Sequence, residues 1–133
     1  MLAVETKVGT YDGSRHGKTD VMQCLDAENP AVYCMAKIKP TNGTPYDINE
    51  GLTKGMLSGG YEAVRDLFSG STPVATRYKP RISICFGILW LGYKTSIKGT
   101  IKDGVIAYNG GGDSNYWNKI TSCINDPAKF LGV

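Results

Sequence analysis

The most apolar stretch of the chain reads PRISICFGILWLGYKTSI and covers residues 80–97. Its apolar side chains recur close to helical spacing, at Ile84, Ile88, Leu91 and Tyr93. Pro80 suits the first turn of a helix, where its missing N–H has no hydrogen-bond partner to lose. The stretch therefore predicts a central helix over 80–97. Because Ile82, Ile84 and Phe86 also alternate, a strand over 82–91 stays open as the alternative.

Shorter helices are predicted on both sides of this segment, separated by loops rich in glycine and proline. The helical segments are the end of a helix at Met1–Lys7, a helix from Pro30 through Ile38, pieces within Ile48–Phe68 divided at Gly59-Gly60, Thr100–Tyr108, and Ser114–Ile124 with Ser114 as N-cap. The loops are expected at 9–18, 39–47 and 69–78. The pattern predicts a mainly α fold, with long glycine-rich connections.

Length and charge exclude several classes of protein. At 133 residues and 41% hydrophobic residues, the chain predicts one globular domain over 1–133 rather than a disordered segment. A net charge of +3, without a dense basic stripe, argues against a nucleic-acid partner. The longest apolar run, residues 82–91, is too short to span a membrane. Trp90 in that run is expected in the core.

Four cysteines and one histidine limit the possible cross-links. An even number of cysteines fits two disulfides and an oxidising compartment, with the pairing open. Four buried free thiols are the alternative. The chain has no C-x-x-C pair and a single histidine, so it lacks the ligand spacing of a zinc site, and nothing else in the sequence implies a metal or organic cofactor. His16 lies in a polar loop and is expected to face solvent.

Four motifs, taken in order, point to a family. Glu5-Thr6 ends an apolar helical turn, and Val21-Met22-Gln23 follows it, with Gln23 18 residues after Glu5. The central segment places Ser83-Ile84, Gly87 and Trp90-Leu91 in line, and Ala107-Tyr108-Asn109-Gly110-Gly111 comes after it. In this order and spacing the motifs resemble the lysozyme-like superfamily of lytic transglycosylases and goose-type lysozymes. The resemblance covers essentially the whole chain.

The resemblance implies an α+β lysozyme-like fold around a substrate groove. It also implies an enzyme that cleaves the β-1,4 bond between N-acetylmuramic acid and N-acetylglucosamine in peptidoglycan. Glu5 is then the general acid, which needs a raised pKa to protonate the leaving oxygen. Tyr108 is expected to orient its carboxyl, while Met22, Gln23 and Asn109 contact the sugars.

One departure from the family pattern concerns a second carboxylate. Asp20 stands where the family usually has glycine, and Asp-Val-Met-Gln resembles a branch of bacterial and phage muramidases. Asp20 is accordingly a candidate second catalytic carboxylate, with Asp12 and Asp26 as alternatives. A structural role for Asp20, as an N-cap of the turn at Met22, fits equally well. Hydrolysis and formation of an anhydro sugar both stay open.

The remaining expectations concern context. Residues 40–78 are expected to be an insertion that shapes substrate or partner contacts, and the catalytic helix before Glu5 is short for the family. Residues 1–20 do not read as a signal peptide, yet peptidoglycan as substrate predicts an extracytoplasmic location.

A secreted antibacterial effector with an inhibitor or immunity protein is one possible setting. A glycan- or partner-binding module without turnover is the alternative function. Tyr116 and Trp117 are candidates for stacking on sugars or for ordinary packing.

Overall fold

The computed structural model describes residues 1, 4–5, 18–25, 60–67 and 78–131. Within these ranges the protein is helical and contains no strand. The helices are α1 (Gly60–Leu67), α2 (Pro80–Lys98), α3 (Ile101–Tyr108), α4 (Tyr116–Asn125) and α5 (Pro127–Leu131). Residues 4 and 5 are also helical. Residues 18–25 form a turn that is not part of any helix. The predicted mainly α class is confirmed.

Helix α2 is the central element, and the prediction of a helix over 80–97 is confirmed. Pro80 occupies the start of the helix, after Lys79 in an extended conformation. Gly99 ends it in the left-handed region at φ 84°, and its N–H donates to the carbonyl of Thr95 at 2.8 Å. The strand alternative over 82–91 is wrong.

The buried face of α2 differs from the predicted stripe. Ile84, Ile88, Leu91 and Tyr93 are only partly buried. The most deeply buried side chains are instead those of Ile82, Ser83, Cys85, Phe86, Leu89 and Trp90. Because the first three turns of α2 are apolar on every side, periodicity alone does not identify the more deeply buried face.

Two apolar clusters explain why α2 is buried on more than one side. In the first, Phe86 and Leu89 of α2 pack with Leu25 and the other apolar residues between positions 21 and 25. The second is formed by Val105, Tyr116 and Ile120, with Leu91 packed against it. The core position predicted for Trp90 is confirmed, since only 8% of its surface is exposed.

Helix α3 begins at a side-chain cap and packs closely on α2. The hydroxyl of Thr100 accepts from the Asp103 N–H at 3.1 Å, which satisfies one of the free donors of the first turn. Gly104 faces the backbone of Thr95 on α2. The absence of a side chain at Gly104 therefore sets how near the two helices lie.

Helix α4 starts two residues later than predicted. Its N-cap position is held by Asn115 rather than Ser114, and the side chain of Asn115 makes no capping hydrogen bond. Asp113 organises the start of the helix instead, because its carboxylate accepts from the Asn115 N–H at 2.9 Å and from Lys119 Nζ at 2.6 Å. The short helix α5 was not anticipated by the sequence pattern.

Cys24, Cys85 and Cys123 are buried free thiols. Two disulfides would require all four cysteines, so the predicted pair of disulfides is wrong. For these three residues the alternative of buried thiols is the observed one. Cys34 lies outside the described residues.

Other predictions also fall on residues that the structure does not describe. They are the helix from Pro30, His16, Asp12, Asp26, most of the three predicted loops, and the segment 40–78 apart from α1 and Tyr78. Among the residues described, no helix combines the length and the apolar character needed to cross a membrane.

Replacing Gly104 with alanine tests the contact between α2 and α3. The new Cβ would lie 2.7 Å from Cα and 2.8 Å from N of Thr95, both backbone atoms that cannot rotate away. Overpacking of this kind costs about 1–3 kcal/mol or more, against about 1 kcal/mol gained in helix propensity. We therefore expect Gly104→Ala to lower the free energy of unfolding, measured by urea denaturation.

Gly112→Ala is the matched control, because no atom lies within 4 Å of the added Cβ. Its unfolding free energy should stay within about 0.5 kcal/mol of the parent chain. Equal stability of the Gly104→Ala chain and the parent would contradict the close helix contact.

Candidate functional site

Glu5 lies on a short helical turn near the start of the chain. The N–H groups of Val4 and Glu5 donate to the carbonyl of Met1 at 2.8 and 2.9 Å. The side chain of Glu5 is partly buried, and its Oε1 accepts a hydrogen bond from the hydroxyl of Tyr116. Tyr116 is the first residue of α4 and is 3% exposed. Helix α4 thus brings a fixed donor to a carboxyl 111 positions away in the chain.

The surroundings of Glu5 favour its neutral form. Burial is the main cause that raises its pKa, and the nearby carboxylate of Asp20 adds to the effect. The hydrogen bond from Tyr116 and the amino group of Met1 act in the opposite direction, yet the pKa of Glu5 remains raised. Burial and the adjacent Glu5 raise the pKa of Tyr116 as well, so its hydroxyl stays a donor.

Asp20 is buried in the turn over 20–25, with 3% of its surface exposed. Its Oδ1 accepts from the Cys24 N–H at 3.0 Å and from Ser83 Oγ at 2.7 Å. Its Oδ2 accepts from the Leu25 N–H at 2.8 Å. Asp20 therefore has a structural role in the turn, but it is not the predicted N-cap at Met22, because its carboxylate accepts from the N–H groups four and five residues further on.

Met22 and Gln23 occupy the middle of the same turn. Met22 is 6% exposed, and its N–H donates to Ser83 Oγ at 2.9 Å. Gln23 is partly exposed and lies in the left-handed region at φ 54°, which costs a residue with a side chain about 1–2 kcal/mol. Both its N–H and its Nε2 donate to the carbonyl of Asp20 at 3.0 Å. The turn therefore holds Gln23 in one conformation.

Tyr108, at the end of α3, does not take the role predicted for it. Its hydroxyl donates to the carbonyl of Met22 at 2.8 Å, and Tyr116 is the tyrosine that donates to Glu5. Burial raises the pKa of Tyr108 well above its usual range, with the neighbouring Cys24 and Glu5 contributing. Tyr108 therefore supports the turn rather than the carboxyl.

Asn109 holds the glycine-rich loop that follows α3. Its Oδ1 accepts from the Asp113 N–H at 3.1 Å, which closes the loop across Gly110 and Gly111. Both glycines have positive φ, 74° and 77°, a conformation that favours glycine. The loop is exposed, so its backbone faces solvent next to Tyr108.

The structure brings together five residues that we call the Glu5 cluster: Glu5, Asp20, Met22, Tyr108 and Tyr116. Tyr116 is the member that sequence reasoning placed elsewhere, as a stacking or packing residue. Its position on the first turn of an amphipathic helix marks it as inward-facing, but only the tertiary fold shows which group it meets.

Comparison with protein-family models, with curated proteins and with solved structures finds no match for this chain. Among the described residues, no three His, Cys, Asp or Glu side chains are grouped so that they would hold a metal ion. The chemistry of this site is therefore argued from the side chains of the Glu5 cluster.

The missing side chain at Gly87 on α2 leaves the space that Met22 occupies. Gly87→Ala tests this contact. The added Cβ would lie 2.8–3.0 Å from the Cε, Cγ and Cβ atoms of Met22, so the base of that side chain would have to move. We expect a loss of about 1–3 kcal/mol in unfolding free energy, measured by urea denaturation. The loss should shrink when Met22→Ala is combined with it, because the clashing Cε and Cγ atoms are then gone. A strictly additive double variant would contradict the contact.

Tyr116→Phe should raise the pKa of Glu5 further. It removes the donor that stabilises the carboxylate and leaves the burial that opposes it. The measurement is a titration of the Glu5 side-chain carboxyl by ¹³C NMR. Tyr93→Phe is the control, since Tyr93 packs against Trp90 on α2. An unchanged or lowered pKa of Glu5 in Tyr116→Phe would contradict the hydrogen bond.

The same shift predicts a pH dependence of stability. Because the pKa of Glu5 is raised in the folded state, the folded chain binds the proton more tightly than the unfolded chain. Stability should fall as the pH rises from the ordinary glutamate range through the raised value. Tyr116→Phe should extend this fall to higher pH. The measurement is the midpoint temperature of thermal unfolding, recorded for both chains across the same pH range.

Proposed function

We propose that the chain is a lysozyme-like glycosidase that cleaves the β-1,4 bond between N-acetylmuramic acid and N-acetylglucosamine in peptidoglycan. The observation that carries the proposal is the state of Glu5, a partly buried carboxyl with a raised pKa and a fixed hydrogen-bond donor. A general acid that works near neutral pH needs such a carboxyl. The mainly α architecture is compatible with the lysozyme-like fold, which is part of the proposal.

In the proposed reaction, Glu5 donates its proton to the glycosidic oxygen as the bond to the muramic acid C1 breaks. Since Oε1 accepts from Tyr116, Oε2 is the oxygen that carries the proton to be transferred. Tyr116 is therefore the positioning residue of the acid. The positive charge that develops at C1 is quenched by a water oxygen or by the 6-hydroxyl of the same sugar. The Glu5 carboxylate then takes up the proton that the attacking water or 6-hydroxyl loses.

The substrate contacts are proposed on the side of the turn and the glycine-rich loop. The amides of the partly exposed Gln23 and Asn109 match the N-acetyl groups of the sugars, while Met22 is 6% exposed and supports the turn that presents Gln23 instead of forming the predicted apolar wall. Asn109 also shapes the loop at 110–113, where exposed backbone can approach a polysaccharide. No cofactor enters the proposed reaction.

An extracytoplasmic site of action is part of the proposal, because the substrate lies outside the cytoplasm. Burial raises the pKa of the Cys24 and Cys85 thiols, which lowers their thiolate fraction and slows their oxidation. Free thiols of this kind are compatible with such a location. An inhibitor or immunity protein remains the partner proposed for an antibacterial setting.

Glu5→Gln is the decisive variant. It retains the acceptor for Tyr116 but has no proton to donate, so muropeptide release from purified cell walls should fall by about 10²–10⁴-fold. Mass spectrometry of the released products reports the bond that is cleaved and whether the new end is a reducing or an anhydro sugar. Asp126→Asn, at an exposed position directly after α4, is the control and should keep full activity.

Full lytic activity of Glu5→Gln would show that Glu5 is not the general acid. If the parent chain binds glycan strands and releases no muropeptide, the chain is a glycan-binding module instead of an enzyme. The same digest separates these outcomes, because binding is scored by co-sedimentation with the walls.

A further inference from the structure

Asp20 departs from the family pattern, in which glycine precedes Leu-Met-Gln, and its surroundings suggest why. We propose that Asp20 and Ser83 are a buried positioning pair that holds the turn over 20–25 against α2, and that Asp20 transfers no proton in the reaction. This inference rests on the proposed function, since the turn carries the proposed sugar contact Gln23.

The hydrogen bonds of Asp20 leave its carboxylate little room for catalysis. Two backbone N–H groups and one hydroxyl donate to its two oxygens, at 2.7–3.0 Å. A carboxylate that activates water needs an oxygen facing that water, whereas Asp20 is 3% exposed. Two of its hydrogen bonds are directed into the turn and the third joins it to Ser83 on α2. Asp20 thus satisfies backbone donors that would otherwise be buried without a partner.

Ser83 makes the turn depend on α2. Its hydroxyl donates to Asp20 Oδ1 and accepts from the Met22 N–H at 2.9 Å, so both partners fix its orientation. Its own carbonyl accepts from the Cys24 thiol at 3.5 Å. Ser83 is fully buried and lies 63 positions from Asp20 in the chain. A single side chain on a rigid helix therefore sets the backbone of Met22.

Gly87 completes the surface of α2 against which Met22 packs. It lies one helical turn after Ser83, and Met22 packs against the surface that its missing side chain leaves open. The amide of Met22 is held by Ser83, its carbonyl by Tyr108, and its side chain by Gly87. Movement of the turn would consequently displace Met22 and Gln23 together.

The test uses Asp20→Asn, Ser83→Ala and the double variant of the full chain. Asn at 20 would present an amide donor to N–H groups that need an acceptor, and Ala at 83 removes the shared hydroxyl. Amide hydrogen exchange at Met22, Cys24 and Leu25 should speed up by roughly tenfold in each single variant. The two effects should be less than additive, because both variants break the same contact.

Kinetics on purified peptidoglycan separate positioning from catalysis. In both single variants we expect KM to rise by roughly tenfold while kcat falls by less than about threefold. A fall in kcat of about 10²-fold or more for Asp20→Asn, with amide exchange unchanged, would identify Asp20 as a catalytic base and overturn the proposal. Unchanged exchange in both variants would also overturn it.

Asp103→Asn is the matched control. Asp103 also pairs with a hydroxyl, that of Thr100 at 2.8 Å, but it does so on the exposed start of α3. Its replacement should leave KM, kcat and the amide exchange of the turn unchanged. If Asp20→Asn does not fold, Ser83→Ala still tests the pair, because it keeps the carboxylate. A parent chain that releases no muropeptide refutes the proposed function, while amide exchange still decides the positioning pair.

Discussion

The hydroxyl of Ser83 joins the central helix to the turn over 20–25, and the rest of the described structure depends on this contact. Without it, the N–H of Met22 and one oxygen of Asp20 would each lose a buried partner. Leu25 and Phe86 are fully buried members of the first apolar cluster, to which the turn and α2 both contribute. The hydrogen bonds of the buried polar groups and the burial of apolar side chains therefore stabilise the same arrangement of the turn on α2.

Two tyrosines from different helices connect this arrangement to Glu5. Tyr108 ends α3 and supports the turn through the carbonyl of Met22, while Tyr116 begins α4 and supports the carboxyl. Tyr116 also belongs to the second apolar cluster, so its hydroxyl is held by packing at its ring. Burial of Glu5 beside these groups lowers stability at neutral pH, since the folded state favours the neutral acid. Such a cost is characteristic of sites where a group is kept ready for proton transfer.

Several features were predictable from sequence because their causes are local. Pro80 begins α2, and Gly110 and Gly111 end the α3 segment with positive φ. Other features depend on contacts between distant segments. The stripe of α2 that is buried most deeply was predicted incorrectly, because the first half of that helix carries apolar side chains on several sides and two clusters pack against it. The disulfide prediction failed for a similar reason, since cysteine number says nothing about which thiols meet.

The sequence by itself determined helices α1 to α4 and their order along the chain. Helix signals and motif spacing act over a few residues, so they can be read directly from the chain. Only the tertiary structure decided that Tyr116, not Tyr108, donates to Glu5, and that Asp20 is enclosed by donors. The bonds from Tyr116 to Glu5 and from Ser83 to Asp20 join positions 111 and 63 residues apart. Partners at such separations are selected by packing of the whole fold, because no local preference links them.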